Sequence, residues 1–256
     1  MVELKTKQEI AVMKRGGEIL AEILDVLIRE ARPGVTLLAL DEKAEELCKA
    51  RGVHPAFKGY ISEKTKKTYP FAICTSVNDV IVHGTPTSYI LKRGDLLKID
   101  CGVVYKGWNL DSARTIVVGE EAKGEKKRLI DVTEYALKKG IEAAYPGNTV
   151  GDIGEAISAV IKKAGFHVVQ GLTGHGIGRE LHEDPSIHNE GESGKGMPFE
   201  AGMVIAIEPM VATGTGKTVR EEDDSFRTAD GGFAAHAEHT VAITRDGPLI
   251  LTRVSV

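Results

Sequence analysis

A chain of 256 residues with 42% hydrophobic and 27% charged residues has the composition of a globular protein of one large domain or two small ones. The net charge of −4 argues against a nucleic-acid-binding protein, because such proteins carry a basic surface. Three scattered cysteines and a charged N-terminus without a run of about 18 apolar residues exclude a disulfide framework and a membrane span, and predict a cytoplasmic protein.

Helical and strand-like patterns follow one another in an order that occurs twice. In the first half, the predicted elements are helices over residues 6–31 and between Thr36 and Gly52, and strands over residues 72–76, 80–82, 95–104 and 109–118. In the second half, they are helices over residues 125–144 and between Thr149 and Gly165, and strands over residues 166–170, 202–207, 235–244 and 249–252. Thr36 and Thr149 are typical helix N-caps, and Gly52 and Gly165 are typical helix ends.

Repeated motifs indicate an internal duplication. Residues 33–36 and 146–149 both read Pro-Gly-x-Thr at an offset of 113 residues, and Gly52 and Gly165 have the same offset. Residues 94–100 and 202–208 align at an offset of 108, and in each a glycine begins an apolar strand that ends on a carboxylate. The period is far too long for a solenoid.

The carboxylates at these strand ends predict a metal centre. Two strands related by a pseudo-twofold axis bring Asp100 and Glu208 together, and Asp111 and Glu238 likewise precede β-like runs. Buried carboxylates are costly and repel one another unless cations compensate them. Two divalent cations, with a hydroxide between them, would balance most of this charge. The predicted ligands are Asp100, Asp111, His175, Glu208 and Glu238.

This donor set is rich in oxygen and has one nitrogen, which suits Mn, Fe, Co or Zn without choosing among them. Because paired metals generate a nucleophilic hydroxide at neutral pH, hydrolysis is the predicted reaction class. His83 and His182, one from each half, are predicted to hydrogen-bond the amide and carbonyl of a substrate. A loop histidine without a functional role is the alternative for either one alone.

The glycine-rich stretch of residues 174–185 surrounds His175 with glycines, which allow a close backbone approach. It matches neither a dinucleotide fingerprint, because Arg179 replaces a required glycine, nor a His-Glu-x-x-His helix. A surface turn with two incidental histidines is the alternative. Residues 214–218 lack the earlier glycine of a phosphate-binding loop. The run Lys64, Lys66 and Lys67 predicts a solvated loop, and the net charge does not support contact with ribosomal RNA.

Together these motifs resemble those of the type I methionine aminopeptidases, from about residue 4 to the C-terminus. The motifs are Asn78-Asp79-x-x-x-His83-Gly84, Ile99-Asp100, Asp111-Ser112, Gly174-His175-Gly176-Ile177-Gly178, His182-Glu183-x-Pro185, Ile207-Glu208-Pro209-Met210 and Glu238-His239-Thr240. The resemblance implies a mixed α/β (α+β) architecture, the pita-bread fold. In this fold, two pseudo-twofold-related helix-helix-strand repeats form a central antiparallel sheet covered by helices. It also implies a single catalytic domain over residues 1–256, with halves of about 1–120 and 121–256.

The implied activity is hydrolytic removal of the N-terminal methionine from newly made proteins when the second residue is small. The implied nucleophile is a hydroxide bridging two divalent metal ions (Co, Mn, Fe or Zn). Asp100 matches the carboxylate that chelates one metal, and Asp111 and Glu238 match the pair that bridges both. His175 and Glu208 match the ligands that complete the other site, and Glu208 also handles the proton of the attacking hydroxide.

The resemblance makes His83 and His182 the histidines that contact the substrate. The residues that match the methionine pocket of the family are Tyr60, Tyr69 and Cys74, and those that depart from its commonest bacterial pattern are Phe57, Leu181 and Phe226. The implied partners are the N-termini of nascent polypeptides, with transient ribosome association, no membrane and no specific nucleic acid. The implied state is a monomer.

Rival classes fit the sequence less well. Proline-specific peptidases share the fold and ligands but usually carry an additional N-terminal domain, whereas here the first repeat begins almost at Met1. Non-catalytic proteins of this fold typically lose metal ligands, and none is missing. A metal-stabilised scaffold without turnover would leave the paired histidines unexplained. Only 30 residues separate Glu208 from Glu238, which leaves no room for the insertion of type II enzymes.

Overall fold

The computed structural model describes residues 2–61 and 65–254. The helices of these ranges form one pair in each half: α1 (Lys7–Glu30), α2 (Leu37–Arg51), α3 (Gly124–Ala143) and α4 (Val150–Lys163). The strands are β1 (His54–Pro55), β2 (Ile73–Val77), β3 (Val80–Val82), β4 (Leu96–Tyr105), β5 (Trp108–Val117), β6 (His167–Val168), β7 (Thr173–Gly176), β8 (Glu183–His188), β9 (Val204–Ile207), β10 (Met210–Ala212), β11 (Thr218–Arg220), β12 (Phe226–Thr228), β13 (Ala234–His236), β14 (His239–Thr244) and β15 (Gly247–Ile250). All four predicted helices are confirmed.

The helix boundaries follow from capping groups. The hydroxyl of Thr36 accepts a backbone hydrogen bond at the start of α2, and the helix ends at Gly52 with a φ of 68°. At the start of α4, the carboxylate of Asp152 accepts a hydrogen bond from the backbone N–H of Thr149 at 2.7 Å. Gly165 follows α4 with a φ of 74°. Because glycine adopts a positive φ at little cost, the two glycines end the two helices at matching positions.

The central antiparallel layer consists of one sheet from each half. In the first-half sheet the strand order is β1-β4-β2, with β5 paired to β4. In the second-half sheet the order is β15-β14-β9-β7-β8. Two small sheets, β13-β10-β6 and β11-β12-β3, complete the β-structure of residues 2–61 and 65–254. The strand pairings are antiparallel, as the predicted fold requires.

Hydrogen bonds join the two halves along a seam between β5 and the start of β14. The backbone N–H of Glu238 donates to the carbonyl of Ala113 at 3.0 Å. The backbone N–H of Asp111 donates to the hydroxyl of Thr240 at 2.9 Å, and that hydroxyl donates to the carbonyl of Asp111 at 2.8 Å. The seam therefore brings two of the predicted ligands, one from each half, close together.

The helices cover this layer: α1 packs on β4 and β5, and α3 packs on α4 and β13. An added Cβ at Gly16 of α1 would lie 2.8 Å from Leu110 and Tyr105, and one at Gly17 would overlap the carbonyl oxygen of Leu251. Glycine at these two positions therefore lets α1 lie directly on β5 and on the segment after β15. Within the described ranges, no helix has both the length and the apolar character to cross a membrane.

One segment differs from an alternative considered above, and one differs from its prediction. Residues 174–185 are not a surface turn, because they contain most of β7 and the start of β8 in the second-half sheet. The strand predicted over residues 235–244 is divided into β13 and β14. The break occurs because the backbone N–H groups of Ala237 and Glu238 leave the ladder and donate to the carbonyls of Pro209 and Ala113.

The two segments set aside as binding motifs have ordinary structural roles. Residues 218–220 form β11, and the next element is β12, in place of the helix that follows a phosphate-binding loop. Lys66 and Lys67 are exposed, as a solvated loop predicts, and Lys67 Nζ donates to the carbonyl of Glu222 at 2.8 Å. Lys64, the third lysine of the run, lies outside the described residues.

Candidate metal centre and substrate cleft

A cavity of about 690 Å³ is lined by residues of both halves. Every residue that the sequence analysis predicts for the site lies on its wall. These residues are Phe57, Tyr60, Tyr69, Cys74, His83, Asp100 and Asp111 from the first half, and His175, Leu181, His182, Glu208, Phe226 and Glu238 from the second. The fold thus gathers in one place side chains that the chain distributes over both repeats.

The predicted carboxylate ligands occupy the seam between the halves. Asp111 and Glu238 are buried, with 4% and 2% of their surface exposed. The carboxyls of Asp100 and Asp111 lie within hydrogen-bond reach of each other. Among the described residues, only one of these groups has a backbone donor that fixes its direction: Asp111 Oδ1 accepts from the N–H of Ser112 at 2.9 Å. The arrangement concentrates negative charge where few donors compensate it.

Burial raises the pKa of each carboxyl. Burial raises the pKa of Glu208 to about 8. Burial, with the nearby Glu208 carboxylate adding to it, raises the pKa of Asp100 to about 6. The pKa values of Asp111 and Glu238 rise well above their usual range, first through burial and then through the neighbouring carboxylates. Without cations, Glu208 therefore holds its proton at neutral pH, and burial favours the protonated forms of Asp111 and Glu238.

His175 is oriented as a nitrogen ligand. Its Nδ1–H donates to the carbonyl of Gly176 at 2.8 Å, which leaves the lone pair on Nε2 directed at the carboxylates. Nε2 lies 3.6 Å from Glu208 Oε1. Burial, with the neighbouring His182 adding to it, lowers the pKa of His175 to about 3, so the ring is neutral as metal ligation requires.

The glycines around His175 serve the sheet. An added Cβ at Gly174 would overlap the carbonyl oxygen of Ala206 on β9, and one at Gly176 would overlap that of Asp184 on β8. Because neither glycine has a side chain, β7 lies tightly between β8 and β9, and this close packing holds His175 in the cleft.

The donor atoms fit divalent cations. Asp100 Oδ1 and Glu238 Oε1 are buried and have no hydrogen-bond partner among the described residues. Two sets of three side chains each offer ligand atoms within 4.8 Å of one another: Asp111, His175 and Glu238, and Glu208, His236 and Glu238. Glu238 belongs to both sets, as a residue bridging two cations would. Asp100 reaches the centre through its contact with Asp111.

The second set contains a residue that the sequence analysis does not predict, His236. It stands two positions before Glu238, and side chains two apart on an extended chain point to the same side. That spacing is the signal that could have identified it.

The two predicted substrate-contacting histidines flank the carboxylates. His182 packs edge-on against His175 with ring centroids 4.4 Å apart, and its Nδ1 lies 3.0 Å from the hydroxyl of Tyr60. His83 packs edge-on against Phe226 at 5.8 Å. Burial lowers the pKa of His83 to about 4, and the neighbouring His182 adds to the shift. His83 nevertheless presents accessible surface to the cavity that it lines. Both rings are therefore positioned to contact a ligand.

An apolar pocket adjoins the histidines. Phe57, Cys74 and Leu181 are buried at 8%, 6% and 7% exposure. The hydroxyl of Tyr69 donates to the carbonyl of Ile73 at 2.8 Å and so is tied into the wall. Burial, and then the nearby Asp100 carboxylate, raise the pKa of Cys74 well above its usual range, which keeps the thiol protonated and apolar.

The rim of the cavity contains polar residues absent from the predicted set. Asp223 and Asp224, in the loop between β11 and β12, accept hydrogen bonds from Thr85 at 2.8 Å and Thr65 at 2.6 Å. Arg220 pairs with Asp224 at 2.9 Å. Local patterns in the sequence do not reveal that this loop folds over the cleft, because its contacts with Thr65 and Thr85 join segments far apart in the chain.

Chelator-treated protein is expected to lose stability as the pH rises from 6.5 to 8. In this window the raised pKa of Glu208 keeps a proton bound in the folded state that the unfolded chain has released, and Asp111 and Glu238 add to this. Each such proton lowers the free energy of unfolding by about 1.4 kcal/mol per pH unit. The lowered pKa values of the buried histidines act only below 6.5, and that of Lys98, about 7, opposes the trend with one group against three.

Thermal melts at both pH values would measure the effect, expected as a fall of several degrees. The same melts with Mn²⁺ present are the control, since a cation replaces the protons and should remove the fall. A melting temperature that stays constant or rises over this window in the chelated protein would contradict the crowded-carboxylate description.

Comparison with known proteins places these features in a family. The model of metallopeptidase family M24 matches residues 11–245. Methionine aminopeptidase of Clostridium perfringens is 45% identical over 256 residues, covering 99% of this chain and 100% of the relative. The crystal structure of methionine aminopeptidase from Rickettsia prowazekii superposes with a TM-score of 0.94 at 37% identity, covering 99% of this chain and 100% of that one. Prolidase from Pyrococcus horikoshii gives a TM-score of 0.77 at 25% identity, covering 98% of this chain but 64% of that one.

Proposed function

The chain belongs to the type I methionine aminopeptidases of metallopeptidase family M24, and we propose that it hydrolytically removes the N-terminal methionine from newly made proteins when the second residue is small. The observation that carries this proposal is the cleft in which five ligand-type side chains, two histidines and an apolar pocket lie together. Family membership implies a divalent cation, and the residues present suit two. The residues assigned to hold them are Asp100, Asp111, His175, Glu208 and Glu238.

The assignment divides the ligands between the two halves. The first half supplies Asp100 and Asp111, and the second supplies His175, Glu208 and Glu238, so both halves act as one catalytic domain. When bound, divalent cations lower the pKa of water and polarise the carbonyl of the scissile bond. The excess of carboxylates and the unpaired buried oxygens of Asp100 and Glu238 support this assignment. The cation is one of Co, Mn, Fe or Zn.

The remaining polar side chains bind the substrate and move protons. With the Tyr60 hydroxyl donating to Nδ1 of His182, the neutral ring carries its proton on Nε2 and donates to the substrate carbonyl oxygen. His83, which lines the same cleft, contacts the substrate amide. Glu208, beside His175 at 3.6 Å, accepts the proton of the attacking water and returns it to the leaving amine.

The apolar pocket binds the side chain of the first residue. Phe57, Leu181 and Phe226 line it with hydrocarbon, and Cys74 adds a polarizable sulfur, which together suit a long unbranched thioether. The three residues that depart from the commonest bacterial pattern are all apolar, so they change the shape of the pocket and retain its chemistry.

Substrate preference provides the test of the activity. We expect cleavage of Met-Ala-Ser and Met-Gly-Met, with little cleavage of Met-Lys-Ser, because the second residue lies beside the ligands and His83, where space is limited. Norleucine should replace methionine at the first position, since one methylene in a pocket contributes only about 1–3 kcal/mol. The measurement is kcat/KM for each peptide with Mn²⁺, Co²⁺ or Fe²⁺ supplied. N-acetylated Met-Ala-Ser, which lacks the free amine, is the matched control and should not be cleaved.

The rival reading predicts the opposite preference. Faster release of the first residue from Ala-Pro peptides than from Met-Ala-Ser would assign the chain to the proline-specific peptidases instead.

The cellular setting follows from the substrate class. The proposed partners are the N-termini of nascent polypeptides in the cytoplasm. The three free, buried cysteines, Cys48, Cys74 and Cys101, support a reducing compartment. A monomeric state and a transient association with the ribosome stay predictions from the sequence.

A further inference from the structure

The ring of His236 lies beside the carboxylates of the proposed metal centre. It is 1% exposed, and neither ring nitrogen has a hydrogen-bond partner among the described residues. Nε2 lies 3.4 Å from Glu208 Oε2 and 3.8 Å from Glu238 Oε2. A buried imidazole with both nitrogens unsatisfied is costly, so its position calls for a ligand.

The backbone holds His236 in this position. Its N–H donates to the Thr115 hydroxyl at 2.9 Å, and the same hydroxyl donates to the His236 carbonyl at 2.7 Å. On its other side, β13 pairs with β10 in a register that places His236 opposite Met210. The residue is thereby anchored to both halves, and its ring stays directed at Glu208 and Glu238.

The separations suit a shared cation better than direct hydrogen bonds. A hydrogen bond between nitrogen and oxygen is usually 2.7–3.2 Å long, and both observed separations are longer. Nitrogen and oxygen donors lie about 2.0–2.2 Å from a zinc-type cation, so donors at these separations reach one ion between them. Glu208, His236 and Glu238 satisfy this condition as a set, with ligand atoms all within 4.8 Å of one another.

We propose that His236 is an additional nitrogen ligand of the metal centre, acting with Glu208 and Glu238. This inference rests on the proposed function, which assigns one imidazole, His175, to the centre. A second imidazole on the other side of Glu208 changes the donor set from one nitrogen to two. Because imidazole favours Zn, Fe and Co while carboxylates suit Mn and Mg, His236 shifts the preference of the centre towards the former group.

The decisive variant is His236→Gln, which keeps a polar side chain of similar reach and removes the imidazole. Full-length protein is stripped with a chelator and titrated calorimetrically with Zn²⁺ and with Mn²⁺. The variant is expected to bind Zn²⁺ at least about tenfold more weakly than the unmodified protein and to lose less affinity for Mn²⁺. An unchanged ratio of Zn²⁺ to Mn²⁺ affinity would overturn the inference.

His239→Gln is the matched control. His239 lies three residues after His236 in sequence. Its Nδ1 lies 2.9 Å from the Thr252 hydroxyl, and the residue lines a separate cavity. It should keep the Zn²⁺ to Mn²⁺ ratio of the unmodified protein even if it melts at a lower temperature. The comparison separates loss of a ligand from loss of a buried histidine.

A second measurement needs no variant. In Co²⁺-loaded protein, hyperfine-shifted NMR resonances of ¹⁵N-labelled histidine report the number of imidazoles on the metal. Two sets are expected, and His236→Gln should remove one. A single set in the unmodified protein would overturn the inference while leaving the proposed function intact. Failure of the unmodified protein to bind any divalent cation would instead overturn the proposed metal centre itself, and this inference with it.

Discussion

Asp111→Asn is expected to abolish tight binding of both cations and to lower kcat/KM by orders of magnitude. Asp111 belongs to one donor set with His175 and Glu238 and touches Asp100, so its charge serves the whole centre. Asparagine keeps the size of the side chain and the oxygen that accepts the Ser112 N–H at 2.9 Å. The substitution therefore removes charge with little change in packing. Calorimetric titration measures affinity and stoichiometry together.

The same variant should be more stable than the unmodified protein once both are stripped of cations, because one of four mutually repelling carboxyls is gone. Asp41→Asn is the control, since Asp41 is also a buried carboxylate that accepts backbone hydrogen bonds, from Ala72 and Ile73, but lies on α2 away from the ligands. It should keep the stoichiometry of the unmodified protein. Unchanged affinity and stoichiometry in Asp111→Asn would exclude a dinuclear centre built on this residue.

His182→Ala and His175→Ala are expected to fail in different ways, although their rings are only 4.4 Å apart. His182 is assigned to the substrate, so its loss should lower kcat by about 10²–10³ and leave cation binding intact. His175 directs Nε2 at the carboxylates, so its loss should release cation. Metal analysis after dialysis, together with kcat and KM for Met-Ala-Ser, distinguishes the two results.

The two variants serve as controls for each other, because they make the same chemical change at two side chains that are in contact in the structure. If His182→Ala released cation as readily as His175→Ala, the division between ligand and substrate contact would be wrong.

Much of the fold could be predicted because the ends of its helices and strands are determined by residues close to them in sequence. In both repeats, a threonine precedes the second helix and a glycine follows it. These capping residues set the helix boundaries through contacts with only a few neighbouring residues. The strand ends that carry Asp100 and Glu208 could be predicted for the same reason, since an apolar run followed by a carboxylate is visible in the sequence.

The features that could not be predicted depend on contacts between distant segments. The strand-like pattern of residues 235–244 does not reveal that the backbone N–H of Glu238 donates to Ala113 of the other half and so divides the strand. The strand β7 is hard to predict from sequence because it contains Gly174 and Gly176. These glycines let β8 and β9 approach β7 closely, and the sequence does not show that contact. The spacing of His236 two positions before Glu238 is a weak signal, because a core histidine can have the same spacing, and only the assembled carboxylates give its ring a role.

The contact between α1 and the residues after β15 also bears on the order of folding. Gly17 lies directly under the carbonyl of Leu251, and Glu238 bonds Ala113, so the contacts that close the molecule join segments far apart in sequence. Contacts of this kind form late and slowly, because a long loop must close before they stabilise anything. As the chain emerges during synthesis, the first helix is available long before the segment it rests on. We therefore expect the cleft that spans the seam to become competent late in folding.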